Sequence, residues 1–207
     1  MTPEQIEEYF TRSENGFVFA RWSRPIAPVA FGVKDETLGV IKGAFEAVAQ
    51  LAGHKLADTD PDTGSNCMIF FFQEWDELLE VPDLDKAVPN LAQLVERVKA
   101  ANANQYRLFS FNEDEGIKSA FIFLKMDEAL SSVPAETMLL GQAVQAILLW
   151  KDSAFNQVSA FEEKDGQAVL RHDIATLIAA AYDPTLPAMS RDPSHALRLH
   201  ARISNLQ

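Results

Sequence analysis

Cysteine is nearly missing from this chain. Cys67 stands alone, so no intrachain disulfide can form and a multi-thiolate metal site is excluded. Basic charge is also scarce: 18 Lys and Arg face 30 Asp and Glu, a formal charge of −12. That balance opposes long-range attraction to phosphate backbones and anionic lipid, so no nucleic acid partner is expected. No apolar run approaches the ~18 residues of a membrane span, which removes a membrane partner from the expectations. The opening MTPEQIEEYFTRSENG places Glu4, Glu7 and Glu8 where an export signal carries basic and then apolar residues, and a cytoplasmic location is the expectation. Glycine-rich phosphate loops and the Gly-x-Ser-x-Gly turn of serine hydrolases are missing as well. The four histidines, His54, His172, His195 and His200, include no i, i+4 pair, so one helix face cannot present two imidazoles to a zinc ion.

What is present belongs to a folded domain. Hydrophobic residues make up 47% of the 207 and charged ones 23%, and no Gly/Ser-rich linker divides them. Residues 1–15 read as a short acidic arm, and 16–207 as one domain that includes a C-terminal helix. WSRPIAPVAF has β-forming residues interrupted by Pro25 and Pro28, which suits an edge or a strand start. DETLGVIKGAFEAVAQLAG predicts an amphipathic helix with Asp35 as N-cap, Leu38, Ile41, Phe45, Val48 and Ala52 inward, and Gly53 at its end. CMIFFF reads as a strand inside a sheet, with Cys67 a buried structural thiol. Residues 74–102 are helical, broken at Pro82 and Pro89, and YRLFSF with KSAFIFLKM forms a hairpin around NEDEG. Helices are expected after Pro134, over LRHDIATLIAAAYDP, and from Asp192-Pro193 through Ile203. This order predicts an α+β or α/β fold: one mixed, mostly parallel sheet with an antiparallel hairpin, packed by helices. Asp58, Asp60 and Asp62 have the alternate spacing of a calcium loop, but Thr63 and Ile69 stand where that loop needs glycine and a carboxylate, so a solvated turn is expected.

The unusual stretch is MLLGQAVQAILLWKDS, Met138 to Ser153. It holds two amides, Gln142 and Gln145, within a run that carries no charge before Lys151. Metzincin-type zinc peptidases place His-Glu-x-x-His-x-x-Gly-x-x-His on and just after a helix. Laid here without gaps, those positions fall on Gly141, Gln142, Gln145, Leu148 and Lys151, and every functional residue differs. The surroundings still resemble that family, with Arg21 and Trp22 early and Asp173, Leu177 and Tyr182 late. More closely, the chain resembles a bacterial family of unknown function (domain of unknown function 2927), whose motif has decayed to Glu-Glu-x-x-Gln-Ala-Leu-Gly-Leu. Gln145, Ala146, Leu149, Asp152, Ser153, Tyr182, Asp183, Pro184 and Met189 agree with that pattern. Gly141, Gln142, Leu148, Lys151 and Ala188 depart from it.

The resemblance implies a zincin-like fold over residues 20 to 200 and brings no activity with it. Gly141 offers no ligand atom, Gln142 cannot take a proton from water near neutral pH, Gln145 is a poor zinc ligand, and Lys151 adds a positive charge where a cation would sit. No metal, cofactor or catalytic residue is therefore expected. The leading expectation is a non-catalytic domain that binds a peptide or protein, with Gln142, Gln145, Asp152, Ser153 and Tyr182 as cleft or structural polar residues. Apolar packing by Leu148, Leu149 and Trp150 would fill the former metal cavity, with both glutamines bonded to backbone or water. Three alternatives compete: glutamines on the exposed edge of an ordinary helix, a hydrolase assembled from His172, His195 or His200 with carboxylates, and a self-associating protein. Oligomeric state is not readable from these residues.

Overall fold

Thr2 opens the first helix by accepting from the Gln5 backbone N–H while the Gln5 side chain accepts from the Thr2 N–H, a closed capping box ahead of Pro3. The computed structural model describes residues 1–13 and 15–206. In it this helix, α1 (Pro3–Phe10), buries Ile6 and Phe10 in the main core and leaves Glu4 and Glu8 exposed. The segment expected as an acidic arm thus contributes a face to the core.

A short hairpin, β1 (Thr11–Arg12) with β2 (Gly16–Phe17), and the two-residue β3 (Phe19–Ala20) lead to β4 (Pro28–Phe31). Pro28 opens β4 at the sheet edge, where its missing donor is tolerated. α2 (Asp35–Ala52) follows. Asp35, expected as its N-cap, is instead its first residue, beside the macrodipole's positive end, and the cap is Lys34. Gly53 ends the helix at φ 63°, the left-handed geometry for which glycine is suited. Leu38, expected inward, is 42% exposed, and Ala44 and Ala49 join the buried face instead.

β5 (Cys67–Phe72) then crosses the sheet, followed by a 3-10 turn at Trp75–Glu80, α3 (Leu84–Ala87) and α4 (Leu91–Ala100). The hairpin β6 (Gln105–Phe111) and β7 (Ile117–Lys125) comes next, then α5 (Glu128–Ser131) and α6 (Ala135–Ile147). A second hairpin, β8 (Phe161–Lys164) with β9 (Gln167–Leu170), precedes α7 (His172–Ala181), β10 (Met189–Ser190) and α8 (His195–Leu206).

The result is α+β: a four-stranded mixed sheet in the order β4-β5-β7-β6, with β4, β5 and β7 parallel and β6 antiparallel at the far edge. Ile69, Phe71, Ile122 and Leu124 face a large core with α1, α2, α6, α7 and α8. Phe70, Phe72, Phe121 and Phe123 face a smaller one with Trp75, Leu84 and the buried side of α4. Burial on both faces explains why CMIFFF is apolar without alternation. Cys67 is fully buried, and loss of hydration pushes its thiol up to about 12, so it is no nucleophile near neutral pH.

His195, at the start of α8, is 0% exposed, and neither ring nitrogen has a hydrogen-bond partner among the described residues; its ring packs 4.4 Å from that of Phe19. Burial, then Arg198 and Arg21, push its pKa down to about 4 from the ordinary 6.5, against an opposing pull from Asp192. The fold therefore prefers neutral His195, whereas the unfolded chain takes up a proton first. Stability from this site is complete above about pH 6.5 and is lost as pH falls toward 4, a change of about 3 kcal/mol. His195→Phe should flatten that part of the profile and raise stability at neutral pH by removing two orphaned polar atoms. Urea midpoints of both proteins between pH 4 and 7 check this; parallel profiles would be the contrary result.

Candidate functional site

α6 carries few charges because three sides of it are covered: Met138, Leu139, Gln142, Ala143, Val144, Ala146 and Ile147 are all buried. It stops at Ile147 without a glycine. Leu148 turns extended, bridges to Arg21, and Leu149 N–H donates to the Ala20 carbonyl. The last carbonyls of a helix need donors, and here aromatic side chains supply them. Trp150 Nε1 donates to the Val144 carbonyl at 2.9 Å, Trp22 Nε1 to Ala146 at 2.8 Å, and Tyr182 Oη to Ile147 at 2.8 Å. Leu148, Leu149 and Trp150 are themselves buried. Apolar side chains thus close the helix end, stapled by three aromatic donors.

Gln142 is 3% exposed, which removes it from the exposed edge that the plain helix reading assigns it. Its partners are side chains of β6. Arg107 Nη2 donates to Gln142 Oε1 at 2.6 Å and to Gln105 Oε1 at 2.6 Å, and Gln142 Nε2 reaches Gln105 Oε1 at 3.3 Å. Gln105 and Arg107 are two apart on a strand, so both lie on the α6 face. Arg107 is half-buried and in no ion pair among the described residues, and its buried Nε lacks a partner. Burial pushes its guanidinium down to about 10, with a counteracting pull from Asp152.

The remaining sequence-selected residues do not join this triad. Gln145 is half-buried and makes no side-chain hydrogen bond among the described residues. Gly141 is half-buried, and a Cβ there would meet only Phe161 at 3.7 Å, an ordinary contact. Lys151 pairs with Glu8 at 3.1 Å, Asp152 with Arg12 at 3.2 Å while remaining exposed, and Ser153 is exposed. Tyr182 staples the helix end: its Oη also accepts from the Trp22 N–H, it lies beneath Arg21, and burial holds its pKa well above the ordinary value. Replacing Gln142 with Leu should cost about 2 kcal/mol, because Arg107 loses one of two charge-assisted bonds, whereas Gln145→Leu should be neutral or slightly stabilising. Equal urea midpoints for the two variants would contradict that difference.

The histidines of the hydrolase alternative sit apart in role: His172 opens α7, His195 is enclosed beside Phe19, and His200 Nδ1 lies 3.1 Å from the Met1 carbonyl. Among the described residues, no group of three or more His, Cys, Asp or Glu side chains is placed to hold a metal ion. The acidic loop expected as a solvated turn differs in one residue. Asp60 is buried and accepts from Arg24, Asn66, Thr63 and the Asp62 N–H. Burial alone would raise its pKa, but those donors hold it below the usual range. The loop is a carboxylate clamp in which Arg24 pairs with both Asp60 and Asp62, while Asp58 stays exposed.

Two features lie outside the residues chosen from sequence. A groove of about 620 Å³ opens on the opposite sheet face between Phe31, Met68, Phe70, Leu84 and Phe121, remote from α6. The other is the outer edge of β6, which no strand covers among the described residues. Lys125 N–H donates to the Asn104 carbonyl, which sets the phase of the ladder. The even-numbered residues of β6 exchange bonds with β7, and Gln105, Arg107 and Phe109 aim their N–H and C=O groups outward. No helix of the described chain is long and apolar enough to cross a membrane. Comparisons with protein-family models, curated proteins and solved structures give no match to this chain.

Proposed function

We propose that this chain is a non-catalytic, zincin-like domain that binds a peptide or an extended protein segment, adding it as a fifth strand along the outer edge of β6. The observation that carries this reading is the open edge itself, running beside α6 with Gln105, Arg107 and Gln142 next to it. An unpaired strand offers a row of backbone donors and acceptors, and proteins that leave one uncovered use it for pairing or blunt it with charge. β6 carries a single charged side chain, Arg107, and that group is turned toward α6, so it does not guard the edge. The helix that holds a peptidase's metal is here closed by Leu148, Leu149 and Trp150, which suits a scaffold that retains a ligand without cleaving it.

The test is selection of random heptapeptides on the immobilised protein, followed by N-methylation of each residue of a selected peptide in turn. A strand added to β6 presents N–H groups to it at every second residue. Binding should therefore fall at least tenfold at alternate positions and hold at those between. Uniform tolerance, or loss without a period of two, would contradict strand addition. Mass spectrometry of the same peptides after prolonged incubation tests the non-catalytic half of the proposal: they should stay intact, and reproducible cleavage would restore the hydrolase.

A further inference from the structure

We infer that the segment bound at β6 carries one acidic side chain, and that Arg107 is its receptor; this rests on the strand-addition reading above. Carboxylates outnumber basic groups in this chain, and the other partly buried arginines mostly take one: Arg12 pairs with Asp152, Arg24 with Asp60 and Asp62, and Arg171 with Asp173. Arg21 takes none, but its guanidinium lies over the Tyr182 ring and donates to the Leu186 carbonyl. Arg107 instead has two neutral amide oxygens on a single nitrogen, Nη2. Taking a guanidinium out of water is costly unless an anion compensates it, and amide oxygens supply orientation without charge. Gln105 and Gln142 hold the fork in place and leave its charge unanswered.

The location fits a ligand's side chain rather than one of the protein's own. Arg107 sits within β6, with two strand residues before it and four after. Its backbone N–H and C=O point to the open edge, so a strand laid there antiparallel to β6 would place one residue directly opposite. That residue's side chain would project on the same face as Arg107, at the ~5.5 Å Cα spacing of a hydrogen-bonded pair. Aspartate or glutamate at this position can reach the guanidinium, and the pairing would be shielded by α6 on one side and by the ligand on the other. Asp152, the carboxylate whose charge acts on Arg107 among the described residues, is exposed and engaged by Arg12. The net charge of −12 repels a generally acidic ligand, so the bound segment carries a single acidic residue among neutral or basic ones. A terminal carboxylate is disfavoured because β6 continues on both sides of Arg107.

Two heptapeptide libraries test the inference, one acetylated and amidated at its ends and one with free termini. The capped library should yield peptides with Asp or Glu enriched at one position. Exchanging that residue for its amide should weaken binding at least tenfold, and in Arg107→Met the acid and amide forms should bind within twofold of each other. In the wild-type protein, binding of the acidic form should decline as pH drops through the carboxylate range while the amide form stays level, a readout that needs no variant. Enrichment without acidic residues, a preference that survives Arg107→Met, or a carboxylate requirement met only by free C-termini would overturn the inference and leave strand addition standing. Failure of both libraries to bind would remove strand addition itself.

Discussion

Replacing Trp22 with alanine is expected to remove about 5 kcal/mol of stability, a loss comparable with the whole stability of many domains. Two effects add. Trp22 is fully buried, so truncation leaves a cavity in the main core that close packing cannot refill. Its indole N–H is also a donor to the Ala146 carbonyl, and an orphaned buried carbonyl carries a further penalty. Trp22→Phe separates the two, since it keeps most of the ring and loses the donor; a cost of about 2–3 kcal/mol is expected. Urea denaturation with unchanged slope provides the measurement. If the phenylalanine variant were as stable as the parent, the aromatic closure of α6 would contribute packing alone. The same closure explains why α6 needs no glycine at its end.

The second large effect is at Gly32, where alanine should cost about 4 kcal/mol. Gly32 follows β4 at φ 78°, a left-handed conformation that L residues occupy at a cost of ~1–2 kcal/mol. A Cβ there would also overlap the carbonyl oxygen of Phe71. That atom belongs to β5, which is held by parallel ladders to β4 on one side and β7 on the other, so it cannot retreat cheaply. Gly64 is the control: its φ is 76°, but nothing lies within 4 Å of a built Cβ. Gly64→Ala should therefore show the conformational cost alone, about 1 kcal/mol. Equal melting shifts for the two variants would mean that the close approach of β4 to Phe71 contributes nothing.

Arg107 departs from the ion-pairing pattern of the other described residues. The ionic contacts that hold the fold, such as Arg24 with Asp60, are closed pairs with further donors around them. The β6 triad is left one charge short, which an isolated domain has no structural reason to maintain. Removing both Arg107 and Gln142 in favour of apolar residues would be a milder change for the fold than removing Gln142 alone, because the buried charge leaves together with its acceptor. The acidic partner inferred for Arg107 would complete the same arithmetic from outside.

Much of the architecture is written in local patterns. The α2 periodicity ending at Gly53, the unbroken apolar run of β5, the breaks at Pro82 and Pro89 and the β6–β7 hairpin all follow from short-range chemistry. The β8–β9 hairpin has its own signal too, an Asp165-Gly166 pair with both φ positive, though its short strands are mostly exposed and carry little apolar alternation. The α1 core face was hidden because only Ile6 and Phe10 of its eight residues are fully enclosed, and its acidic residues dominate the composition.

The sequence by itself determined the α+β class, the order of its main elements, the buried thiol and the peculiarity of Gln142 within an uncharged helix. Only the tertiary structure decided what Gln142 touches, because Arg107 and Gln105 are separated from it by 35 and 37 residues and meet it only after the hairpin folds against α6. The same holds for the helix closure, where Trp22 lies 124 residues from its acceptor. A side chain's identity fixes what it can donate or accept; its neighbours are chosen by how sheet and helices pack, and that choice follows from burying apolar surface across the whole chain.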